Sequence, residues 1–198
     1  MNNNDKIKKS TVESIVVISI MALYIVYGIH FVPLLMLFIP LPFVVLGVRN
    51  GIYTNIISII ASSLIVGALL GFSSAASLIL IFAPLSIAIN YCINNRKSGF
   101  DTILISTVAF FLSFLILISF EGTILNLNFV KQLEENFRQI LAMQIDMLNE
   151  MGMTKYEILQ TADLLESTYK TIIVLIPSLM AIFSLSVSYA NLFFSSII

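Results

Sequence analysis

Apolar residues fill this chain in long runs, and polar residues collect in the gaps between them. The first run, Ser14 to Val48, holds 35 residues without Asp, Glu, Lys or Arg. One straight helix of that length would reach about 52 Å against a hydrocarbon core of about 30 Å, so the run must turn back. Pro33, Pro40 and Pro42 interrupt it. Proline lacks an N–H and disfavours a helical residue before it, which puts the turn near His30 to Pro33. The next run, Gly51 to Asn95, has 45 uncharged residues. That is about 67 Å of helix, enough for two crossings with a turn at Gly71-Phe72-Ser73-Ser74.

The pattern predicts an all-α, polytopic membrane helix bundle with about six transmembrane helices. The spans are expected near residues 12–29, 33–48, 53–70, 75–93, 102–120 and 171–194. The second is short, and two readings stay open: a tilted, kinked crossing, or a helix broken at Pro40 and Pro42 whose freed backbone groups need partners. Between the fifth and sixth spans, Glu121 to Lys170 changes character, with eight acidic and four basic residues. Val130, Leu133, Phe137, Ile140, Leu141, Leu148 and Met151 recur at helical intervals and predict one amphipathic helix. Gly152 stops it. Thr154-Lys155-Tyr156-Glu157 reads as a capping box that opens a second helix, which runs on toward the sixth span. The organisation is thus one integral membrane domain over 1–198. It has an N-terminus at 1–11, five spans within 12–120, a two-helix insertion at 121–170 and a last span within 171–198.

Composition agrees with this class: 59% of residues are hydrophobic, 11% are charged, and the mean hydropathy is +1.01. Soluble domains carry roughly 25% charged residues. A net charge of −1 gives a nucleic-acid partner no electrostatic support. One cysteine, Cys92, and one histidine, His30, leave no disulfide and no Cys- or His-built metal site. No cofactor, no catalytic set and no enzymatic activity are expected.

Charge also orients the chain. Six crossings from an inside N-terminus collect Lys6, Lys8, Lys9, Arg49, Arg96 and Lys97 on the cytoplasmic side of the cell membrane. The acidic insertion then lies outside. The basic start, Met1 to Ser10, precedes an apolar run without a small-x-small cleavage pattern, and it reads as a retained signal anchor. The ending Ser195-Ser196-Ile197-Ile198 carries no basic tail, which leaves open a longer parent chain.

Few residues suggest chemistry. Tyr27, His30 and Glu121 are candidate ligand-binding groups at the outer level, with interfacial solvation as the plainer reading of each. Ser63, Gly67 and Gly71 recur at intervals of four and are expected to form a helix-packing seam. Asn55, Asn90 and Asn191 are expected to bond across helices. Tyr24, Tyr27, Tyr53, Tyr91 and Tyr169 would form an interfacial belt.

A proline-rich second stretch leads into Gly47-x-x-x-Gly51 and then a span rich in small residues. This arrangement resembles the S components, the substrate-binding subunits, of energy-coupling-factor vitamin transporters. The insertion, its Gly152-Met153-Thr154 break and a last span carrying Pro177, Ser178 and Asn191 resemble more closely the YybS-like family, predicted membrane proteins containing a domain of unknown function. The resemblance implies small-molecule binding or transport. The first span carries Ser14, Ser19 and Ala22 without the Ala-xxx-Ala spacing of S components that dock an energising module. A membrane scaffold whose outer helices bind a protein partner is the alternative. Expected partners are the lipid bilayer, a small-molecule ligand, and a membrane-protein partner or a second copy.

Overall fold

The computed structural model describes residues 3–124 and 129–197. Residues 1, 2, 125–128 (inside the predicted insertion) and 198 lie outside it. Among the described residues every regular element is helical and none is a strand. In order they are α1 (Asn3–Leu23), a π-helical turn (Tyr24–Gly28), α2 (Ile29–Phe31), a 3-10 helix (Pro33–Phe38), α3 (Pro40–Asn50), α4 (Ile52–Leu70), α5 (Phe72–Asn94), α6 (Gly99–Ile124), α7 (Phe129–Glu150) and α8 (Lys155–Ile197). Five helical stretches are long and apolar enough to cross a membrane: Ile7–Phe31, Ile52–Leu70, Phe72–Asn94, Gly99–Thr123 and Lys155–Ser196. Leu34–Asn50 is a shorter apolar helix.

The chain divides into two compact units, Met1–Leu117 with Ala181–Ile198, and Ile118–Met180. The first is organised around α4 and α5, which pack against each other and against α3. Its helices turn on single residues. Gly51 alone separates α3 from α4, and Gly71 alone separates α4 from α5. Both adopt φ near +97° with extended ψ, a region essentially closed to residues with a side chain. The two corners are built alike. The Gly51 N–H bonds to the Gly47 carbonyl at 2.8 Å, and the Gly71 N–H to the Gly67 carbonyl at 2.9 Å.

The glycine four residues before each corner has a second task. A Cβ on Gly47 would come within 2.7 Å of the Asn55 Cβ, and one on Gly67 within 2.7 Å of the Ala75 Cβ. Each Gly-x-x-x-Gly therefore ends a helix, reverses the chain and lets the next helix close onto the first. In the expected seam, Ser63 is buried and Gly67 meets Ala75, while Gly71 lies exposed at the corner with open space beyond it.

The interior of this unit mixes apolar and polar side chains. Phe43, Val44, Val66, Leu85 and Ile89 form its apolar centre. Asn55, Asn90 and Asn191 are each 0% exposed. The Ser86 hydroxyl donates to Asn55 Oδ1 at 3.1 Å, tying α5 to α4. Asn90 Nδ2 donates to the Val44 carbonyl at 3.3 Å and its Oδ1 accepts from Asn94 Nδ2 at 3.0 Å. These amides bond across helices as their spacing suggested.

After α5 the chain turns through Asn95–Ser98. The Lys97 N–H reaches the Cys92 carbonyl and the Arg96 N–H the Ile93 carbonyl, both at 3.0 Å, the paired bonds of a Schellman cap. Arg96 takes φ +52° to close it. The Ser98 hydroxyl then accepts the Asp101 N–H at 3.1 Å and starts α6.

The second unit holds α7 and the beginning of α8. Its helix break follows the predicted chemistry. The Gly152 and Met153 N–H groups bond to the Asn149 and Leu148 carbonyls, a second Schellman cap. The Thr154 N–H donates to Glu157 Oε2 at 2.9 Å, closing the capping box. Phe137 and Tyr169 stack with centroids 4.1 Å apart. They stand equally far from residue 153, so α7 and α8 form an antiparallel hairpin. Ile158 is buried, and exposed pairs Lys131–Glu135, Arg138–Glu134 and Lys170–Glu166 lie along the helix surfaces. Such pairs contribute little. The capping bonds from the Thr154 N–H and hydroxyl hold the Glu157 carboxyl below its usual range, and the Lys170 ammonium does the same to Glu166.

Pro177 does not break α8, which runs 43 residues, about 65 Å at ~1.5 Å per residue. The second helix of the insertion and the last apolar stretch are one element.

Candidate functional site

The irregular backbone of the first unit is concentrated between Leu23 and Pro40. Proline explains the second half of this segment. Pro33 starts the 3-10 helix and Pro40 starts α3, each at a helix N-terminus where a missing N–H costs nothing. Between them the chain leaves α2 at Val32, with φ −137° and ψ +71°, and tightens to three residues per turn. The second stretch changes from 3-10 to α-helix at Pro40, Pro42 lies inside α3 without breaking it, and Leu34–Asn50 stays one short apolar helix.

Two side chains bond to carbonyls of this segment, one of which, that of Val32, also accepts the Leu35 N–H at 3.1 Å. The ring of Tyr24 lies against Gly28, where any Cβ would collide with it. From there its hydroxyl donates to the Val32 carbonyl at 2.9 Å. The three-residue donor for the Leu37 carbonyl would be the Pro40 nitrogen, which has no hydrogen. Asn191, from α8, donates its Nδ2 to that carbonyl at 2.8 Å and to its own Val187 carbonyl at 2.9 Å. Phe38 packs edge-on against Phe194 at 5.2 Å beside this bond.

The other half of the Asn191 amide is unmatched. Its Oδ1 is buried without a hydrogen-bond partner among the described residues, as is the Ser188 hydroxyl one turn earlier. Ser58 and Ser62 on α4 carry buried, unpartnered hydroxyls too. A buried acceptor without a partner forgoes about 1–3 kcal/mol.

Tyr27 and His30 share this irregular segment, and both are exposed. Tyr27, 62% exposed, borders a shallow groove of about 220 Å³ with Ser19, Ala22, Ile65 and Leu69. Glu121 is half-buried on α6 and belongs to the second unit. Asn191 was expected to bond across helices and Tyr24 to sit in an interfacial belt, and neither was among the candidate ligand-binding groups. The signal for them was indirect: Pro40 three residues after Leu37 announces a carbonyl in need of a donor, and nothing local says that residue 191 supplies it.

The second unit offers a different surface. Ile140, Met143 and Met147 lie on one exposed stripe of α7 that Met151 continues into the turn after it, at intervals of three and four, with Met143 67% exposed.

An all-helical chain with buried asparagines, glycine corners and exposed leucine and phenylalanine is an integral membrane protein by every physical criterion. The chain belongs to the family described as predicted membrane protein (DUF2232), whose model matches residues 15–198. No curated protein and no solved structure matches it.

Proposed function

We propose that this protein binds, and in S-component fashion transports, a small polar molecule at the broken first hairpin, without catalysing a reaction. In this reading it crosses the cell membrane six times with its N-terminus inside, as the basic short loops demand. The six residues of the 3-10 helix and the eleven of α3 help that count. At ~2.0 Å and ~1.5 Å per residue they reach about 28 Å, close to a hydrocarbon core of about 30 Å. The YybS-like and S-component-like resemblance fits the same reading.

The observation that carries it is Asn191. One amide arm bonds to the Leu37 carbonyl, and the other presents a buried, unmatched acceptor. Irregular backbone beside unsatisfied polar groups at membrane depth is the usual setting of a transport-type site.

A scaffold reading is favoured by the stripe of Ile140, Met143, Met147 and Met151, an adaptable apolar face suited to a protein partner.

The test is thermal unfolding in lipid nanodiscs against a panel of small polar metabolites, with native mass spectrometry of the purified complex. Binding predicts a ligand-dependent stabilisation, about 2.7 kcal/mol at a hundredfold excess over Kd, that Asn191→Leu removes. A stoichiometric protein partner with no response to any small molecule would reject this reading in favour of the scaffold.

A further inference from the structure

At the end of the first unit where α3 meets α4, two clefts adjoin. The first, of about 480 Å³, is lined by Lys9, Ser10, Thr11, Glu13, Arg49 and Asn50. The second, of about 420 Å³, runs along α1 and α3 between Val12, Val16, Leu41, Pro42 and Val45. Glu13 and Arg49 line both, so a polar cleft and an apolar groove meet at these two side chains. Each volume is within the roughly 300–1,000 Å³ of ordinary ligand clefts.

The charges of the mouth are unequally engaged. Glu13 Oε2 accepts from Asn50 Nδ2 at 2.8 Å, which holds the carboxylate against the end of α3. Lys9 and Arg49 form no ion pair among the described residues, and both are exposed. Lys8, next to the mouth, is exposed as well. Two free cations face one carboxylate that is already hydrogen-bonded. Behind them the groove walls are aliphatic.

We propose that this composite cleft is a binding site for an anionic glycerophospholipid. The phosphodiester would sit between Lys9 and Arg49, with the Ser10 hydroxyl within the same mouth to donate to its oxygens. One acyl chain would lie along α1 and α3. A guanidinium and an ammonium suit this headgroup, Arg for its fork and Lys as a point charge. Basic pockets between membrane helices on the cytoplasmic side bind anionic headgroups by the same arrangement. A soluble phosphate would leave the apolar groove unfilled, and a zwitterionic lipid would bring its own cation toward Lys9 and Arg49. The site is separate from the broken hairpin and does not depend on the function proposed for it.

The test uses the full chain in detergent, with phosphatidylglycerol and phosphatidylcholine of identical acyl chains added at equal concentration. Native mass spectrometry counts the lipid retained. The wild-type protein should keep one phosphatidylglycerol at least tenfold in preference to phosphatidylcholine. Arg49→Gln with Lys9→Gln should abolish that preference, and Val45→Trp should reduce retention of both lipids by filling the groove. Glycerol phosphate alone should neither bind nor raise the melting temperature. Equal retention of the two lipids by the wild-type protein, which needs no variant to fold, would overturn the proposal and leave only general lipid packing. Stabilisation by glycerol phosphate equal to that by the lipid would overturn it in favour of a soluble anion.

Discussion

Both units of this molecule bury apolar residues, and they differ in where they put their polar ones. In the first, Asn55, Asn90 and Asn191 are inside, and Leu64, Phe72 and Phe100 face outward, 68% or more exposed. In the second, Phe137 stacks on Tyr169 and Ile158 is buried, while Lys131, Glu135, Arg138 and Glu166 lie on the surface. The hairpin of the second unit follows the rule for helices in water in keeping its charges outside and closing on Phe137, Tyr169 and Ile158, while Ile140, Met143 and Met147 stay exposed. The first obeys the rule for helices in lipid, which is as apolar as leucine and gives no reward for burying it. There, close backbone approach at glycine and hydrogen bonds between helices do the holding. One chain thus carries two recipes, and each should fail by its own mechanism.

The sharpest break is at Gly47. Its α-hydrogen sits where a methyl group would run into Asn55 and Asn90, so Gly47→Leu overpacks the helix corner and unseats a buried amide together. We expect a loss of about 3 kcal/mol or more, read as a collapse of the folded fraction in a detergent unfolding titration. Gly67→Leu should cost less, roughly 1–3 kcal/mol, because it displaces only Ala75. Gly67→Ala combined with Ala75→Gly should recover most of the stability that Gly67→Ala loses alone. Failure of that rescue would mean that close approach of α4 and α5 is not what the glycine provides.

In the hairpin the same logic inverts. Phe137→Ala removes apolar contact rather than adding bulk, and it should cost roughly 1–2 kcal/mol, as the ring is only half-buried. Hydrogen exchange should rise in α7 and in residues 155–170, with α4 and α5 unaffected. The smallest effect concerns pH. The depressed carboxyl of Glu157 makes its cap stabilising above the ordinary glutamate range. That contribution is lost as pH falls through the folded value, and Glu157→Gln should flatten the response. Exchange of the first-turn amides of α8 between pH 7 and pH 3 checks it.

How far the sequence was legible follows from the same contrast. Much of the hairpin was readable, because Leu133, Phe137 and Leu141 repeat at helical intervals among charges, but Ile140 and Met151, read onto the same face, are 55% and 75% exposed. Its turn was readable too, through Gly152 and the Thr154–Glu157 box. In the spans hydropathy is nearly uniform around each helix, so apolar periodicity points nowhere. The inward faces show instead in small and polar residues. Ser63 and Gly67 were found that way, whereas Gly71 stands at the corner as the residue that reverses the chain. The pairing of Gly47 with Asn55 and Asn90 was out of reach, since 43 residues separate Gly47 from Asn90. So was the reach of Asn191 across 154 residues to Leu37.

The central claim is that the short stretch of 3-10 helix and α3 crosses the membrane, which makes six crossings of one chain. Single cysteines placed at Asn3, Ser73, Ser98 and Asn149, in a background without Cys92, test it through a membrane-impermeant thiol reagent on intact cells. Labelling at positions 73 and 149, with none at 3 or 98, is the result predicted by six crossings from an inside N-terminus. Labelling at 98, with 3, 73 and 149 protected, would mean that the stretch enters and leaves on one side, and it would contradict the account.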